Sequence, residues 1–232
     1  MKTQTRFVLL TLPYGNGSLH SIVFSDEEAL VLVDCGYPGA LPLLEAELKT
    51  HGLDPTRLTH LILTHHDFDH MGAAAELKRK HPHIRILAHA LEAPYIGGEL
   101  EPLRLTQARA MQDALPECEK EGGLAFMELL KSVEPVTPDI LLSDRQRLPF
   151  CGGLTILHTP GHTAGHICVV SEALGVIAAG DAAVLQDGTL TVANPDFAQD
   201  RAQAGHSLAL LRKFGHVPLI ACCHGGVYER PE

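Results

Sequence analysis

Hydrophobic and polar residues alternate over three stretches in the first part of the chain, and turn-forming residues separate them. Alternation with a period of two is typical of strands that bury one face. The stretches predict strands at 5–12, 18–25 and 28–34. After them, apolar residues at helical spacing predict a helix that begins at Leu41 and ends at Gly52.

A strand at 58–64, a helix that ends at about Lys80 and a strand at 84–88 follow. This order predicts a parallel unit, whose functional loops lie at the carboxyl ends of its strands. The second half of the chain shows the same kind of pattern. It predicts strands at 154–158, 166–171 and 174–179, a helix at about 196–214, and a last strand at 217–223. We therefore expect one α/β domain over residues 1–232.

Residues 90–147 differ from both halves. Two runs have helical spacing, roughly 102–114 and 123–133, and a charged stretch at 117–123 separates them. We interpret 90–147 as a helical insertion that packs over the active site, as a lid or a substrate wall.

The composition is that of an ordinary globular protein, with 45% hydrophobic residues. Asp and Glu number 28 against 18 Lys and Arg, which gives a formal charge of −10. Nucleic acids and anionic membranes call for a basic face, so neither is expected as a partner. We expect a small-molecule substrate, and the oligomeric state stays open.

No apolar run approaches the roughly 18 residues of a membrane helix, and residues 1–10 lack a signal-peptide pattern. Six cysteines are scattered without a CxxC motif. Both observations favour a cytoplasmic protein with reduced, mostly buried thiols.

The segment Thr64-His65-His66-Asp67-Phe68-Asp69-His70 lies between a predicted buried strand and a predicted helix. Imidazoles and carboxylates are costly to bury unless something neutralises them, and a divalent metal is the usual partner. Side chains alternate along extended backbone, so His65 and Asp67 point the same way. Asp69 and His70 come after the chain turns and can face a second point. One segment thus offers two ligands to each of two metals, and more must come from elsewhere.

Three further candidates stand directly after predicted strands of the second half. His162 lies in Thr159-Pro160-Gly161-His162-Thr163, Asp181 follows Gly180, and His224 precedes Gly225. Each has an adjacent glycine, which lets the backbone turn sharply and approach closely.

The order of these motifs resembles the metallo-β-lactamase fold superfamily over essentially the whole chain. The resemblance implies a four-layer αβ/βα sandwich with a dinuclear metal site at one edge, between the two sheets. It also implies the ligands: His65, Asp67 and His162 for the first metal, Asp69, His70 and His224 for the second, and Asp181 bridging both.

One position departs from the pattern, because most members carry His where this chain has Asp67. A carboxylate there resembles the flavodiiron branch, whose corresponding ligand is Glu. Two divalent ions, three ligating carboxylates and a bridging hydroxide leave no net charge, whereas His at position 67 would leave +1. An oxygen-richer site suits manganese or iron better than an all-imidazole one. We expect two divalent ions, zinc first, with manganese or iron as alternatives.

His66 could replace Asp67 as ligand, although the next residue along the chain should point away.

The resemblance implies a hydrolase in which a metal-bridging hydroxide attacks a small thioester, lactone or other acyl substrate. Asp69 is the candidate catalytic residue that orients this water and accepts its proton. Asp181 resembles the bridging ligand of the glyoxalase II and lactonase branches, which β-lactamases lack. The alternative is a di-iron redox module of flavodiiron type without its flavin domain.

Three residues outside the ligand set have expected supporting roles. Asp34 is expected to orient a ligating imidazole, as carboxylates behind metal sites commonly do, or to form the turn, and His166 is expected to be structural or to support a ligand. Tyr95 is expected either to line the pocket or to anchor a loop.

Overall fold

The computed structural model describes residues 5–214 and 216–231. Residues 1–4, on which part of the signal-peptide argument rests, lie outside the described residues. The described residues form fourteen strands: β1 (Arg6–Tyr14), β2 (Gly17–Ser25), β3 (Leu30–Val33), β4 (His60–Leu63), β5 (Arg85–His89), β6 (Ile140–Leu142), β7 (Arg147–Leu148), β8 (Leu154–His158), β9 (Ile167–Ser171), β10 (Val176–Ala178), β11 (Val184–Gln186), β12 (Thr189–Thr191), β13 (Leu219–Cys222) and β14 (Gly226–Glu229).

The same residues form seven α-helices: α1 (Leu41–Thr50), α2 (Phe68–Met71), α3 (Ala74–Lys80), α4 (Ala93–Ile96), α5 (Leu103–Gln112), α6 (Glu117–Lys131) and α7 (Arg201–Lys213). Within these residues, none of the helices combines the length and the apolar character that crossing a bilayer requires.

Two six-stranded sheets hold most of the strands. The first sheet has the order β1-β2-β3-β4-β5-β6, antiparallel up to β3 and parallel from β3 onward. The parallel pair β4–β5 with α3 between its strands confirms the predicted parallel unit. The second sheet has the order β14-β13-β10-β9-β8-β7, in which only β10 and β13 pair in parallel.

The buried side chains form three apolar layers between four layers of secondary structure. The two sheets face each other, with Phe24 and Ile62 of the first in one cluster with Ile156 and Val169 of the second. Helices α1 and α3 pack on the other face of the first sheet. Helix α7 packs on the other face of the second sheet, through residues such as Leu211. This is the predicted four-layer αβ/βα sandwich.

Helices α5 and α6 form a separate cluster above one edge of the sandwich. Leu105 of α5 and Leu130 of α6 pack there against Phe68, which lies in the ligand-rich segment. Because Phe68 is sandwiched between candidate ligands in sequence, this cluster brings the helical segment directly against the predicted metal site.

The predicted break at 117–123 is wrong, because this charged stretch is the start of α6. Glu117 and Glu119 lie in the first helical turn, where negative charge interacts favourably with the helix dipole. Gly123 allows α5 and α6 to approach closely, since a Cβ there would lie 2.1 Å from Gln112 Oε1. The stretch 90–147 also holds β6, which pairs with β5 in the first sheet, and ends at the first residue of β7, which pairs with β8 in the second.

Candidate metal centre

All seven predicted ligands lie in segments that directly follow strands, and two of them, Asp69 and His70, belong to the short helix α2. The segment 65–70 follows β4, His162 follows β8, Asp181 follows β10 and His224 follows β13. The two sheets turn these carboxyl ends toward the same edge of the sandwich. Side chains from both halves of the chain therefore meet at one place, and the structure brings together every residue that the sequence proposed.

The first group of potential ligands consists of His65, Asp67 and His162, all buried. Asp67 Oδ2 lies 3.5 Å from His65 Nε2 and 3.0 Å from His162 Nε2. Donor atoms bound to one tetrahedral metal at about 2.0–2.2 Å stand at such separations. The group matches the ligand set that the resemblance implies for the first metal.

The second group consists of His70, Asp181, Cys223 and His224. Asp181 Oδ1 lies 3.3 Å from His70 Nε2 and 3.5 Å from His224 Nε2. Its other oxygen, Oδ2, lies 3.5 Å from His162 Nε2 of the first group. The Asp181 carboxylate thus stands between the two groups with one oxygen toward each, which is the geometry of a bridging ligand.

The second group differs from the predicted ligands of the second metal at two residues, Asp69 and Cys223. Asp69 Oδ2 lies 3.5 Å from His224 Nε2, although Asp69 is not a member of the compact second group. Cys223, which the sequence indicated only as a buried thiol, takes part in that group instead. Ligation by Asp69 stays a prediction.

Asp34 fixes the orientation of the ligand-rich segment. Its carboxylate accepts hydrogen bonds from Thr64 N at 2.8 Å, Thr64 Oγ1 at 2.7 Å and His70 Nδ1 at 2.8 Å. Thr64 Oγ1 in turn lies 3.0 Å from His65 Nδ1 and can accept from it. With Nδ1 protonated, both imidazoles turn their Nε2 lone pairs toward the candidate metals.

His166 holds Asp181 from behind. Its Nε2 accepts a hydrogen bond from Asp181 N at 2.9 Å, and its Nδ1 lies 2.8 Å from Thr159 Oγ1. Burial, together with the charge of His162, lowers the pKa of His166 to about 3. The ring is therefore neutral and free to accept through Nε2.

Gly161 allows the His162 loop to lie on the N-terminal turn of α7. Its φ is +132°, and a Cβ there would lie 2.1 Å from the backbone nitrogen of Ala204. A side chain at this position would push the loop away from α7 and move His162 out of the first group.

The chemistry of the two groups fits divalent cations. Burial alone would raise the pKa of Asp181, but the charges of His70, His162 and His224 hold it well below the usual range. Buried polar atoms nearly always have a hydrogen-bond partner. Among the described residues His65 Nε2, His70 Nε2 and Asp181 Oδ1 have none, although they point into the groups. Buried imidazole lone pairs without a partner in the described chain, next to an ionised carboxylate, are what a metal would satisfy.

His66 and Tyr95 lie outside both groups. The His66 ring stacks on Tyr95 at a centroid distance of 4.3 Å, and His66 Nδ1 pairs with the buried Glu92. Its Nε2 accepts a hydrogen bond from Leu103 N at 3.4 Å. Both ring nitrogens are thus used away from the metals, and Tyr95 anchors this loop.

A cavity of about 350 Å³ opens onto the two groups. Aromatic side chains form much of its wall: Tyr14, Phe68, Phe126 and Phe197. Arg104 of α5 also lines it and forms an ion pair with Asp67. Sequence reasoning missed Arg104, because a basic residue in an amphipathic helix carries no signal that it is buried.

Comparison with known families decides the classification. The sequence profile described as "Metallo-beta-lactamase superfamily" matches residues 14–224, nearly the whole chain. The chain belongs to the metallo-beta-lactamase superfamily.

Curated members of the superfamily resemble parts of this chain. "Probable metallo-hydrolase YflN" of Bacillus subtilis is 28% identical over 166 residues, which cover 69% of this chain and 58% of the relative. A hydroxyacylglutathione hydrolase of Alkalilimnicola ehrlichii is 31% identical over 145 residues, 62% of this chain and 40% of the relative. The chain spans little more than half the length of the curated relatives it matches first, at 58% and 52%.

Solved structures of the superfamily share the fold. The metallo-beta-lactamase family protein TTHA1429 from Thermus thermophilus superposes with a TM-score of 0.75 at 24% identity, over 96% of this chain and 74% of that protein. TTHA1623 in a di-iron-bound form has a TM-score of 0.65 at 25% identity, over 96% of this chain and 94% of that protein.

Proposed function

We propose that this protein is a hydrolase that holds two divalent metal ions and cleaves small, uncharged acyl compounds such as thioesters, esters and lactones. The observation that carries the proposal is the Asp181 carboxylate, which stands between two groups of ionisable ligands with one oxygen toward each. When bound, a pair of divalent ions supplies hydroxide near neutral pH and polarises the carbonyl under attack. The relatives named as metallo-hydrolases support this reading.

The protein's own residues provide the proton transfer. Asp69 lines the cavity beside the two groups, and its Oδ2 lies 3.5 Å from His224 Nε2. A carboxylate at this position can accept the proton of the attacking water and return it to the leaving group. No serine or cysteine nucleophile is needed.

The cavity wall limits the substrate. Its four aromatic side chains favour a flat or apolar acyl group. Among the described lining residues the only ammonium or guanidinium is that of Arg104, which Asp67 already neutralises. A substrate carboxylate would find no free partner there, and burying it unpaired is unfavourable. We therefore expect neutral apolar thioesters to be better substrates than glutathione thioesters, which carry carboxylates.

The test uses the purified protein with chromogenic esters, thioesters and lactones. Dialysis against a chelator should abolish hydrolysis, and zinc, manganese or iron(II) should restore it. Asp69→Asn should lower kcat by about 10²-fold or more, and the metal content of the variant, measured by mass spectrometry, separates the loss of a base from the loss of a ligand. Asp196→Asn, at an exposed ion pair with Arg201, is the matched control and should be fully active. Hydrolysis that persists after the metals are removed would refute the proposal.

The di-iron redox module stays the alternative, because a superfamily structure of similar length holds two irons. Protein loaded anaerobically with iron(II) separates the two functions. Oxygen or nitric oxide consumption with an added reductant, in the absence of any hydrolysis, would favour the redox module.

A further inference from the structure

Arg104 reaches the candidate metal centre from outside the sandwich. It lies in the first turn of α5, and its side chain is buried. Nη2 forms the ion pair with Asp67 Oδ2 and lies 3.2 Å from His162 Nε2, whereas Asp67 Oδ1 is buried without a hydrogen-bond partner among the described residues and stays available to a metal. Two of the three ligands in the first group therefore contact the same guanidinium.

The Arg104 side chain also makes contacts away from the candidate ligands. Nη1 donates to Gln107 Oε1 at 2.9 Å and to Phe197 O at 3.2 Å. The guanidinium carbon lies 4.4 Å from the centroid of the Phe197 ring, a cation–π contact. Arg104 is thus fixed in place and is not a mobile group that waits for a substrate.

A second chain of contacts sets the position of α5 itself. Glu92 pairs with His66 Nδ1 through one oxygen and accepts from Gly165 N at 2.8 Å through the other. His66 Nε2 accepts from Leu103 N, the residue before Arg104. The ligand-rich segment and the Gly165 loop are therefore tied to the start of α5, which places the guanidinium.

The charge of Arg104 changes the net charge that the sequence predicts for the metal centre. Counting only the ligands, Asp67 in place of the common His makes the centre less positive by one unit. Arginine is always ionised, and its contact with Asp67 returns that unit. The first group, with two neutral imidazoles and the Asp67–Arg104 pair, then has the same net charge as three imidazoles.

We propose that Arg104 is a positioning residue that compensates Asp67, so that the pair acts toward the first metal as one neutral ligand would. This inference rests on the proposed metal centre. It predicts the direction in which metal affinity changes in each variant, which a purely structural role does not. Removing Arg104 leaves an extra negative charge beside the cation and should tighten metal binding. Replacing Asp67 by His leaves an extra positive charge and should weaken it.

Zinc affinity tests the inference, measured by competition with a chromogenic chelator, with metal content determined by mass spectrometry. Arg104→Gln should bind zinc about tenfold more tightly, within the range that residues behind metal ligands usually command. Asp67→His should bind it about tenfold more weakly, and the double variant should return to near the wild-type affinity. Arg104→Lys keeps the charge and should differ little from wild type. Arg109→Gln, on the same helix but paired only with exposed Glu101, is the matched control.

Absorption spectra of the cobalt(II) forms show whether the geometry of the first site is retained in each variant. If Arg104→Gln does not fold, the double variant carries the test, because it removes both buried charges together and should bind zinc more tightly than Asp67→His. Weaker or unchanged zinc binding in Arg104→Gln, or a double variant no better than Asp67→His, overturns the inference alone. A wild-type protein that binds no zinc, manganese or iron overturns the proposed function as well.

Discussion

His166 contributes to the centre only as a neutral imidazole. Its Nε2 accepts the Asp181 amide, and a proton on that nitrogen would break the contact. The folded protein lowers the pKa of His166 to about 3, against an ordinary value of 6.5 in the unfolded chain. Below pH 6.5 the unfolded state therefore takes up a proton that the folded state does not. The stability contributed by this residue is complete above pH 6.5 and is lost as the pH falls toward 3.

Replacing His166 by Gln should make the stability of the metal-free protein less dependent on pH. Between pH 7 and pH 5 the wild type should lose about 2 kcal/mol more than His166→Gln, because one group contributes up to about 1.4 kcal/mol per pH unit. Urea unfolding at the two pH values measures the difference. His206→Gln, at an exposed position of α7, should keep the wild-type pH dependence. Equal slopes for wild type and His166→Gln would contradict the expectation.

Ligands that stand in short motifs at the ends of strands could be predicted, and the residues that pair with this segment from elsewhere in the chain could not. His65, Asp67 and His70 were found because a strand, a turn and a helix follow one another within a few residues. The partner of Asp67 is Arg104, 37 residues away, and that of His66 is Glu92, 26 residues away. Neither contact has a signal in the sequence, since it depends on how α4 and α5 pack on the sandwich.

At the scale of elements, Gly122 and Gly123 offer a paired test of the contact between α5 and α6. A Cβ at Gly122 would meet nothing within 4 Å, so Gly122→Ala should stabilise the protein by about 0.5–1 kcal/mol through helix propensity. A Cβ at Gly123 would lie 2.6 Å from Leu115 Cδ1 and closer still to Gln112. Because the ends of the Gln112 and Leu115 side chains would have to move, Gly123→Ala should gain less stability than Gly122→Ala, by up to about 1 kcal/mol. Denaturant unfolding compares them, and equal stabilisation would show that the two helices pack differently.

The same helix shows where sequence patterns reach their limit. Acidic residues followed by two glycines indicate a break, but the helix continues because Gly123 packs against α5. Strand β14 was also missed, since Gly226–Glu229 is short and lacks alternation. It forms because it pairs with β13, with Tyr228 opposite Ile220. The strands that were predicted correctly have patterns set by burial on the sheets, which the sequence shows directly.

At the scale of the whole molecule, the candidate ligands join the two sheets. His65 and His70 follow a strand of the first sheet, whereas His162, Asp181 and His224 follow strands of the second. A metal bound by both can be held only after the sheets have docked. Bound metal should therefore stabilise the folded state against separation of its halves.

Addition of zinc or manganese to the metal-free protein should raise its thermal unfolding temperature. A free metal concentration 100 times Kd adds about 2.7 kcal/mol, which corresponds to roughly 5–10 °C for a chain of this size. Differential scanning calorimetry measures the shift. Asp181→Asn should show a much smaller shift, because both groups lose a shared ligand. An equal shift in this variant would mean that the metals bind elsewhere.

The contact between α5 and Asp67 has a consequence for any attempt to change the substrate range of the proposed hydrolase. Phe126 of α6 and Arg104 of α5 both line the cavity, and Arg104 also contacts a candidate ligand. Grafting a homologous loop to broaden the substrate range would therefore also alter metal preference, unless the arginine is transplanted with it. If Arg104 acts as proposed, substrate selectivity and metal affinity would change together, and a library that randomises α5 should keep position 104 constant.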